Sequence, residues 1–322
     1  MKPVQKSLLL LALTITLNNC ALANEGDPTP STNVYVEPPM SAPLKAMRQQ
    51  AVKMIKYNGT AQARVLISKY GKEHGYPEEY FYTTALMFMS LHSFREAGQF
   101  LQDGLKKYPN SFDLHLTAAQ NWICVDEPDL AEPELNICAK LKPGAQAIYA
   151  DRAFLAYTRE DYKEALKQSD LALAKGPGTK QIWRNRACIL RNMKRDQEAL
   201  AALDKAIQLC EPKARWDLLR MRGNERQLLK QYKEAIEDYK QVVLSDNEHA
   251  YNYETRIGDC YLAMNQTKEA LRFFDKAIVG KSDYFAAHRG RLTCLNRLYD
   301  RRAAAEESKF INETQRDLGP GK

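Results

Sequence analysis

Small residues recur along this chain at a step that a stack of helical hairpins satisfies. Ala51, Ala85, Ala119, Ala153 and Ala187 follow one another at thirty-four residues, and Gly223, Gly258 and Gly290 continue the column at thirty-six, thirty-five and thirty-two. A second column falls twelve residues later, at Ala63, Ala97, Ala131, Ala165, Ala199, Ala235 and Ala270. A third holds Gly104, Cys138, Ala172, Ala206, Val242 and Ala277. A fourth carries the larger Ile67, Leu101, Leu135, Leu203, Tyr239 and Phe274, interrupted once by Ser169. Self-similarity of this period marks a repeat array, in which no unit buries its apolar stripe alone. Small side chains facing each other let two helix axes approach closely, and the fourth column fills the space beside that contact. Pro109, Pro143, Pro177 and Pro212 close four successive units, since proline after a helix prevents its continuation.

The stretch Tyr251 to Tyr284 shows the unit best, with Gly258, Tyr261, Ala270, Phe274 and Ala277 at fixed offsets. This pattern resembles the tetratricopeptide repeat family, which carries Trp or a similar residue at position 4, Gly or Ala at 8, Tyr at 11, Ala at 20, Phe at 24, Ala at 27 and Pro at 32. Trp183 matches position 4, Tyr261 matches 11, and the columns match the rest. The resemblance implies an all-α fold, a right-handed α-solenoid of about eight helix hairpins spanning residues 44–316. The units are expected near 44–77, 78–111, 112–145, 146–179, 180–213, 216–249, 251–282 and a degraded 283–316, followed by a flexible tail at 317–322. In the last unit the Ala column is expected to slip by one to Ala303, with Glu306 or Glu307 in the aromatic's place. In the third, Pro128 suits a turn and Pro133 fits only the first turn of a helix.

The resemblance also implies that first helices line a concave groove for a protein or peptide segment, with positions 2, 5, 6, 9 and 12 facing the ligand. The early units place Lys45, Arg48, Tyr82, Leu86, Met89, Leu116, Ile123, Phe154 and Tyr157 there, a mixed and apolar lining. The later units place Arg184, Asn185, Arg191, Arg220, Asn224, Gln227, Asn252 and Arg256 there, a polar and basic one. Arg220, Asn224 and Arg256 partly resemble the carboxylate clamp of chaperone-cochaperone members, although Cys188 stands where an earlier Asn belongs. Arginine forks pair with carboxylates through two parallel hydrogen bonds, and Asn adds donors beside them. Arg152, Arg186 and Arg222 recur at position 7 too regularly for ligand contacts, and are expected to pair with second-helix acids such as Asp170, Asp204 and Asp238.

Ahead of the repeats, Lys2 and Lys6 precede an apolar core, Ser7 to Leu17, too short to span a bilayer. Ala21-Leu22-Ala23 offers small residues at −3 and −1 of a signal peptidase site, so residues 1–23 are expected to be a signal peptide and the product periplasmic or secreted. The competing reading makes Leu17–Cys20 a lipobox with a lipid anchor on Cys20, against which Asn19 stands where a small residue belongs. Pro28, Pro30, Pro38, Pro39 and Pro43 make residues 24–43 an extended tether. No later stretch is apolar enough for a transmembrane segment.

The formal charge of +7 loses Lys2 and Lys6 with the leader, giving 7 − 2 = +5, from interspersed acids and bases. Without a basic block, nucleic acid is not the expected partner. Six cysteines remain, Cys124, Cys138, Cys188, Cys210, Cys260 and Cys294. None has CxxC spacing, and they read as small buried residues rather than bridges, a redox pair or a metal site. No HExxH, GxSxG, phosphate loop or dinucleotide fingerprint is present. The expected function is therefore non-enzymatic and cofactor-free, a protein-interaction scaffold, with an architectural role in envelope machinery as the alternative. That machinery would be polysaccharide export, pilus or outer-membrane biogenesis.

Overall fold

The computed structural model describes residues 41–57, 59–245 and 249–317, so the expected leader and residues 24–40 of the expected tether lie outside them. Every regular element among the described residues is helical. The chain divides into two compact units, the first ending at Met193 and the second beginning at Lys194. The first holds α1 (Ala42–Lys56), α2 (Thr60–Glu73), α3 (Glu78–Ser90), α4 (Phe94–Lys107), α5 (Phe112–Cys124), α6 (Pro128–Leu141), α7 (Gln146–Thr158), α8 (Tyr162–Ala174) and α9 (Lys180–Asn192). The second holds α10 (Asp196–Gln208), a short 3₁₀ turn, α11 (Trp216–Leu228), α12 (Tyr232–Ser245), α13 (Ala250–Ala263), α14 (Thr267–Gly280), α15 (Phe285–Arg297) and α16 (Arg301–Asp317). Within each unit successive helices pack as hairpins, and each hairpin stacks on the next.

The columns are the seams of these hairpins. Every alanine of the second column is closed to solvent, as are Ala51, Ala85 and Ala119 of the first. Volume is complementary across the seam. Where the first column holds alanine, the fourth holds Ile or Leu at Ile67, Leu101, Leu135 and Leu203; where it holds glycine, at Gly223 and Gly258, the fourth holds Tyr239 and Phe274. A Cβ on Gly223 would lie 2.7 Å from the Tyr239 ring, and one on Gly258 would lie 2.8 Å from the Phe274 ring. Gly290 of the next hairpin closes on the other side of Phe274, where a Cβ would come within 2.3 Å.

The turn from first to second helix is a recurring device, found six times within the two units and once more at Lys194. After α3, the Ser93 N–H donates to the Phe88 carbonyl and the His92 N–H to Met89, which is the Schellman closure of a helix C-terminus. Asp126, Glu160, Lys230, Asn265 and Tyr299 occupy the same place after α5, α7, α11, α13 and α15, each with a φ near +60°. That left-handed residue is usually glycine, because a Cβ there costs roughly 1–2 kcal/mol. None of these six is glycine, so the turn is imposed by the packing of its two helices.

A second recurring tie fixes the loop ahead of a hairpin. At position 4 of α5, α7 and α15, His115, Tyr149 and His288 reach the carbonyl six residues upstream, at Pro109, Pro143 and Ser282, over 2.9, 3.0 and 2.9 Å. The two histidines use their other ring nitrogen on a second-helix carboxylate, Glu134 and Glu307, each at 2.5 Å. Glu307 also takes Arg291. In the terminal hairpin the fourth-column position, four residues after Ala304, falls on Ser308 rather than on Glu306 or Glu307, and Glu307 stands one residue before it, as Glu134 stands before Leu135.

Three boundaries differ from expectation. The first helix starts at Ala42, with Pro43 in its opening turn, so residues 42 and 43 are helix rather than tether. The helix α6 starts at Pro128 and runs on through Pro133, which lies inside the helix beyond its first turn. In α16 the buried residues are Ala304, Glu307 and Ile311. The alanine column therefore keeps its thirty-four-residue step to Ala304 and does not slip to Ala303, because the inner face of α16 faces α15 in the same register as its predecessors.

Two outcomes follow for denaturant melts. Gly223→Ala should destabilise the chain by about 1–3 kcal/mol through overpacking against Tyr239, and Gly223→Ala with Tyr239→Leu should be less harmful than the sum of the two single changes. Lys230→Gly should raise stability by about 1 kcal/mol by relieving the left-handed Cβ.

Candidate functional site

The expected groove residues fall into two sets, one per unit. In the first unit Arg184 and Arg191 on α9 are partly exposed and Asn185 is buried. The Asn185 side-chain oxygen accepts from Gln181 Nε2 over 2.9 Å. In the second unit Arg220 on α11 is buried and donates to Asp217 over 2.7 Å. Asn224 and Gln227, on the same helix, lie 2.8 and 3.0 Å from the hydroxyl of Tyr239. Arg256 on α13 also hydrogen-bonds that hydroxyl. Asn252 takes the hydroxyl of Tyr284.

Three of the eight candidates, Asn224, Gln227 and Arg256, therefore converge on one buried phenol. Burial raises the Tyr239 phenol above its ordinary range despite the opposing pull of Arg256, so it stays protonated and gives its single hydrogen to one amide. Beside Arg256, one turn further along α13, Asp259 is exposed to solvent. The result is a rigid node of two amides, a cation and a carboxyl, able to offer both donors and acceptors to a peptide backbone. Tyr239 was legible in the sequence only as bulk of the fourth column. Its place on the second helix of the same hairpin, directly behind Gly223 and Asn224, was the signal for its polar role.

The apolar set of the first unit, Tyr82, Leu86, Met89, Leu116, Ile123 and Phe154, is buried, while Lys45 is exposed and Arg48 and Tyr157 are partly so. Among them stands Asp151, on α7 at the register that Asn185 holds on α9. One of its oxygens accepts from Gln120 over 3.1 Å, and the other has no partner among the described groups. Burial pushes this carboxyl from 3.8 up to about 8, because a charge without compensating donors is disfavoured in an apolar setting.

The position-7 arginines do structural work, as their recurrence suggests. Arg186 reaches Asp170 over 2.6 Å, and Arg222 reaches Asp204 and Asp238 over 2.7 and 2.6 Å. Arg152 instead takes Glu132 and Asn136 of α6. These brackets tie a first helix to the second helix of the preceding hairpin, and Arg222 also to its own. The six cysteines among the described residues are all buried, and burial raises the Cys138 and Cys260 thiols to about 12. No group of three or more His, Cys, Asp or Glu suited to a metal occurs among the described residues. No described helix is long and apolar enough to cross a membrane.

Stacked antiparallel hairpins with a small-residue seam define an α-solenoid of short helical repeats. A family model for the tetratricopeptide repeat matches residues 181–212 and 255–278, so those two stretches carry the repeat's pattern. Solved structures share the fold at low identity. YrrB, described as a TPR protein with an unusual peptide-binding site, is 20% identical with a TM-score of 0.52, over 59% of this chain and 97% of that one. Pseudomonas aeruginosa PilF is 14% identical with a TM-score of 0.54, over 66% and 95%. PilW, described as a widely conserved type IV pilus biogenesis factor, is 16% identical with a TM-score of 0.55, over 66% and 97%. No curated protein sequence matches the chain.

The buried carboxyl sets a direction for stability against pH. A group whose folded value lies above its unfolded one holds an extra proton in the native state, so stability falls as pH rises between them. For Asp151 that window runs from 3.8 to about 8. Asp151→Asn should flatten a urea-midpoint profile across it and exceed the parent's stability at pH 8.

Proposed function

We propose that the chain is a non-enzymatic scaffold of the cell envelope or secreted space that holds an extended protein or peptide segment along its first helices. The observation that carries this reading is the convergence of Asn224, Gln227 and Arg256 on the Tyr239 hydroxyl. A purely solvated helix face has no cause to assemble pre-oriented amides and a cation around a buried anchor, whereas recognition of an extended backbone gains from such preorganisation. The leader-like start, Lys2 to Ala23, supports export. YrrB, whose described site binds peptide, shows that this fold can carry that task.

A second reading rests on its own observation. Leu209, Leu244 and Val279 recur at thirty-five residues near the ends of second helices in the second unit, and are 53, 87 and 89% exposed. A row of bare aliphatics suits contact with another protein surface, as in an architectural or assembly factor of envelope machinery. PilW, a type IV pilus biogenesis factor of the same fold, shows such a role in a related architecture.

Capture of partners from an envelope extract separates the two. Arg256→Glu is expected to reduce capture at least tenfold while Leu244→Asp leaves it intact, with both variants melting within a few degrees of the parent. The opposite pattern would move the assignment to the second-helix row. Indifference to both changes would count against either surface.

A further inference from the structure

The first hairpin holds most of the chain's net charge. Residues 41–75 carry seven lysines and arginines against one acid, Glu73, a balance of +6 where the whole chain has +7. Residues 76–322 nearly cancel, with thirty-eight cations against thirty-six acids. No two cations of the hairpin are adjacent in sequence, so the patch exists only once α1 and α2 have formed. On α1, Lys45 and Lys53 are exposed on the side turned away from the buried Leu44, Met47 and Ala51. On α2, the exposed Lys69 and Lys72 follow Val65 by four and seven residues, a spacing that sets all three on one helix face.

We infer that the α1–α2 hairpin docks on the headgroups of an anionic lipid bilayer, with Tyr57 and Val65 reaching toward the acyl boundary. This surface is distinct from both surfaces discussed above. Tyr57, in the turn between the two helices, and Val65 are 80 and 70% exposed. Among the described residues they are the barest large apolar side chains of the first unit, and both lie inside its most basic region. A ring with a polar tip suits the boundary between headgroups and acyl chains, and lysine stems lie along apolar surface while their ammonium groups stay wet. Bare apolar side chains beside a cationic face are what separate a bilayer from a purely ionic partner.

The cations are available for such contact. Lys45, Lys53 and Lys72 have no carboxylate partner among the described residues. Lys69 meets Glu73 at 3.8 Å with both side chains exposed, a pair that solvent weakens. Arg64 is engaged more firmly, by Glu96 of α4 over 2.8 Å. The nearby Glu78 of α3 accepts from the Ser111 hydroxyl. Five of the seven cations are lysines, compact hydrated charges on flexible stems that can follow mobile headgroups, whereas fixed phosphates or carboxylates favour the planar fork of arginine. Attraction to an anionic surface fades within a Debye length, roughly 8 Å at physiological salt and close to the width of one helix. It therefore acts on this hairpin and hardly on the balanced remainder. No described helix is suited to cross the bilayer, so the contact is peripheral.

Vesicle flotation of the full chain tests this, with phosphatidylcholine vesicles made with and without about one-third phosphatidylglycerol. The chain should bind the anionic vesicles at least about tenfold more strongly, and high salt should abolish the preference. Lys53→Glu with Lys69→Glu and Lys72→Glu should remove that preference while the thermal melt stays within a few degrees of the parent. Tyr57→Ser with Val65→Ser should weaken binding severalfold at unchanged charge. Lys2→Gln with Lys6→Gln controls for the leader-like start and should leave the preference in place. Equal binding to both vesicles, binding indifferent to either set of hairpin changes, or a preference that disappears with Lys2 and Lys6 alone would each overturn the inference. Stronger lysine-dependent capture of polyglutamate or of an RNA oligonucleotide than of vesicles would overturn it too, because the hairpin would then serve an acidic polymer.

Discussion

The close approach of two helices across a seam of tiny side chains governs everything else in this protein. At Gly223 and Gly258 no Cβ fits, because an aromatic ring from the second helix already occupies the space. At Ala85 and Ala119 the partner column shrinks to leucine and the seam keeps its spacing. The volume of the pair, rather than either residue, is what is held constant, as expected of interiors packed to crystal-like density. Given that spacing, the second helix carries its neighbours into fixed positions: the arginine brackets find their carboxylates, and the turn between helices is forced into the left-handed region.

The same seam builds the candidate site. Tyr239 is large because Gly223 is small, and its ring fills the interior while its hydroxyl, itself buried, reaches Asn224 on α11. Asn224 and Gln227 are oriented by that hydroxyl rather than by one another. Packing and recognition are thus joined in one side chain, and in the second unit the polar node exists only where an aromatic replaced leucine. The first unit has no such phenol at its fourth column. It offers instead aliphatic side chains and the buried carboxyl of Asp151, so the two units present different chemistry from one architecture.

Much of this was legible in the sequence and some of it was not, for identifiable reasons. The columns, the helical class and the structural role of Arg186 and Arg222 could be read because they depend on side-chain size and charge at fixed offsets. The turns could not, since His92, Asp126, Glu160, Lys230 and Tyr299 carry no glycine signal and are held by tertiary packing. The loop ties at position 4 were visible only as Trp183, because His115, Tyr149 and His288 share hydrogen-bonding capacity rather than shape. In the last hairpin, the run of alanines from Ala303 to Ala305 offered several registers, and only the burial of Ala304 and Ile311 selects one. Asn224 and Gln227 were legible singly, but their shared partner lay hidden in a residue read for its bulk.

The glycine–aromatic pairs bear on how such a chain can grow. Gly223 with Tyr239 and Gly258 with Phe274 each lie inside one hairpin, so a gene duplication that copies the hairpin whole inherits both halves of the fit. Phe274 also rests against Gly290 of the following hairpin. A copy inserted between them must itself begin with a helix that offers glycine at that level, and an alanine-type unit placed there would strike the ring. The order of units in this region is thus restricted by steric grammar, whereas the alanine-type units are free of that particular rule.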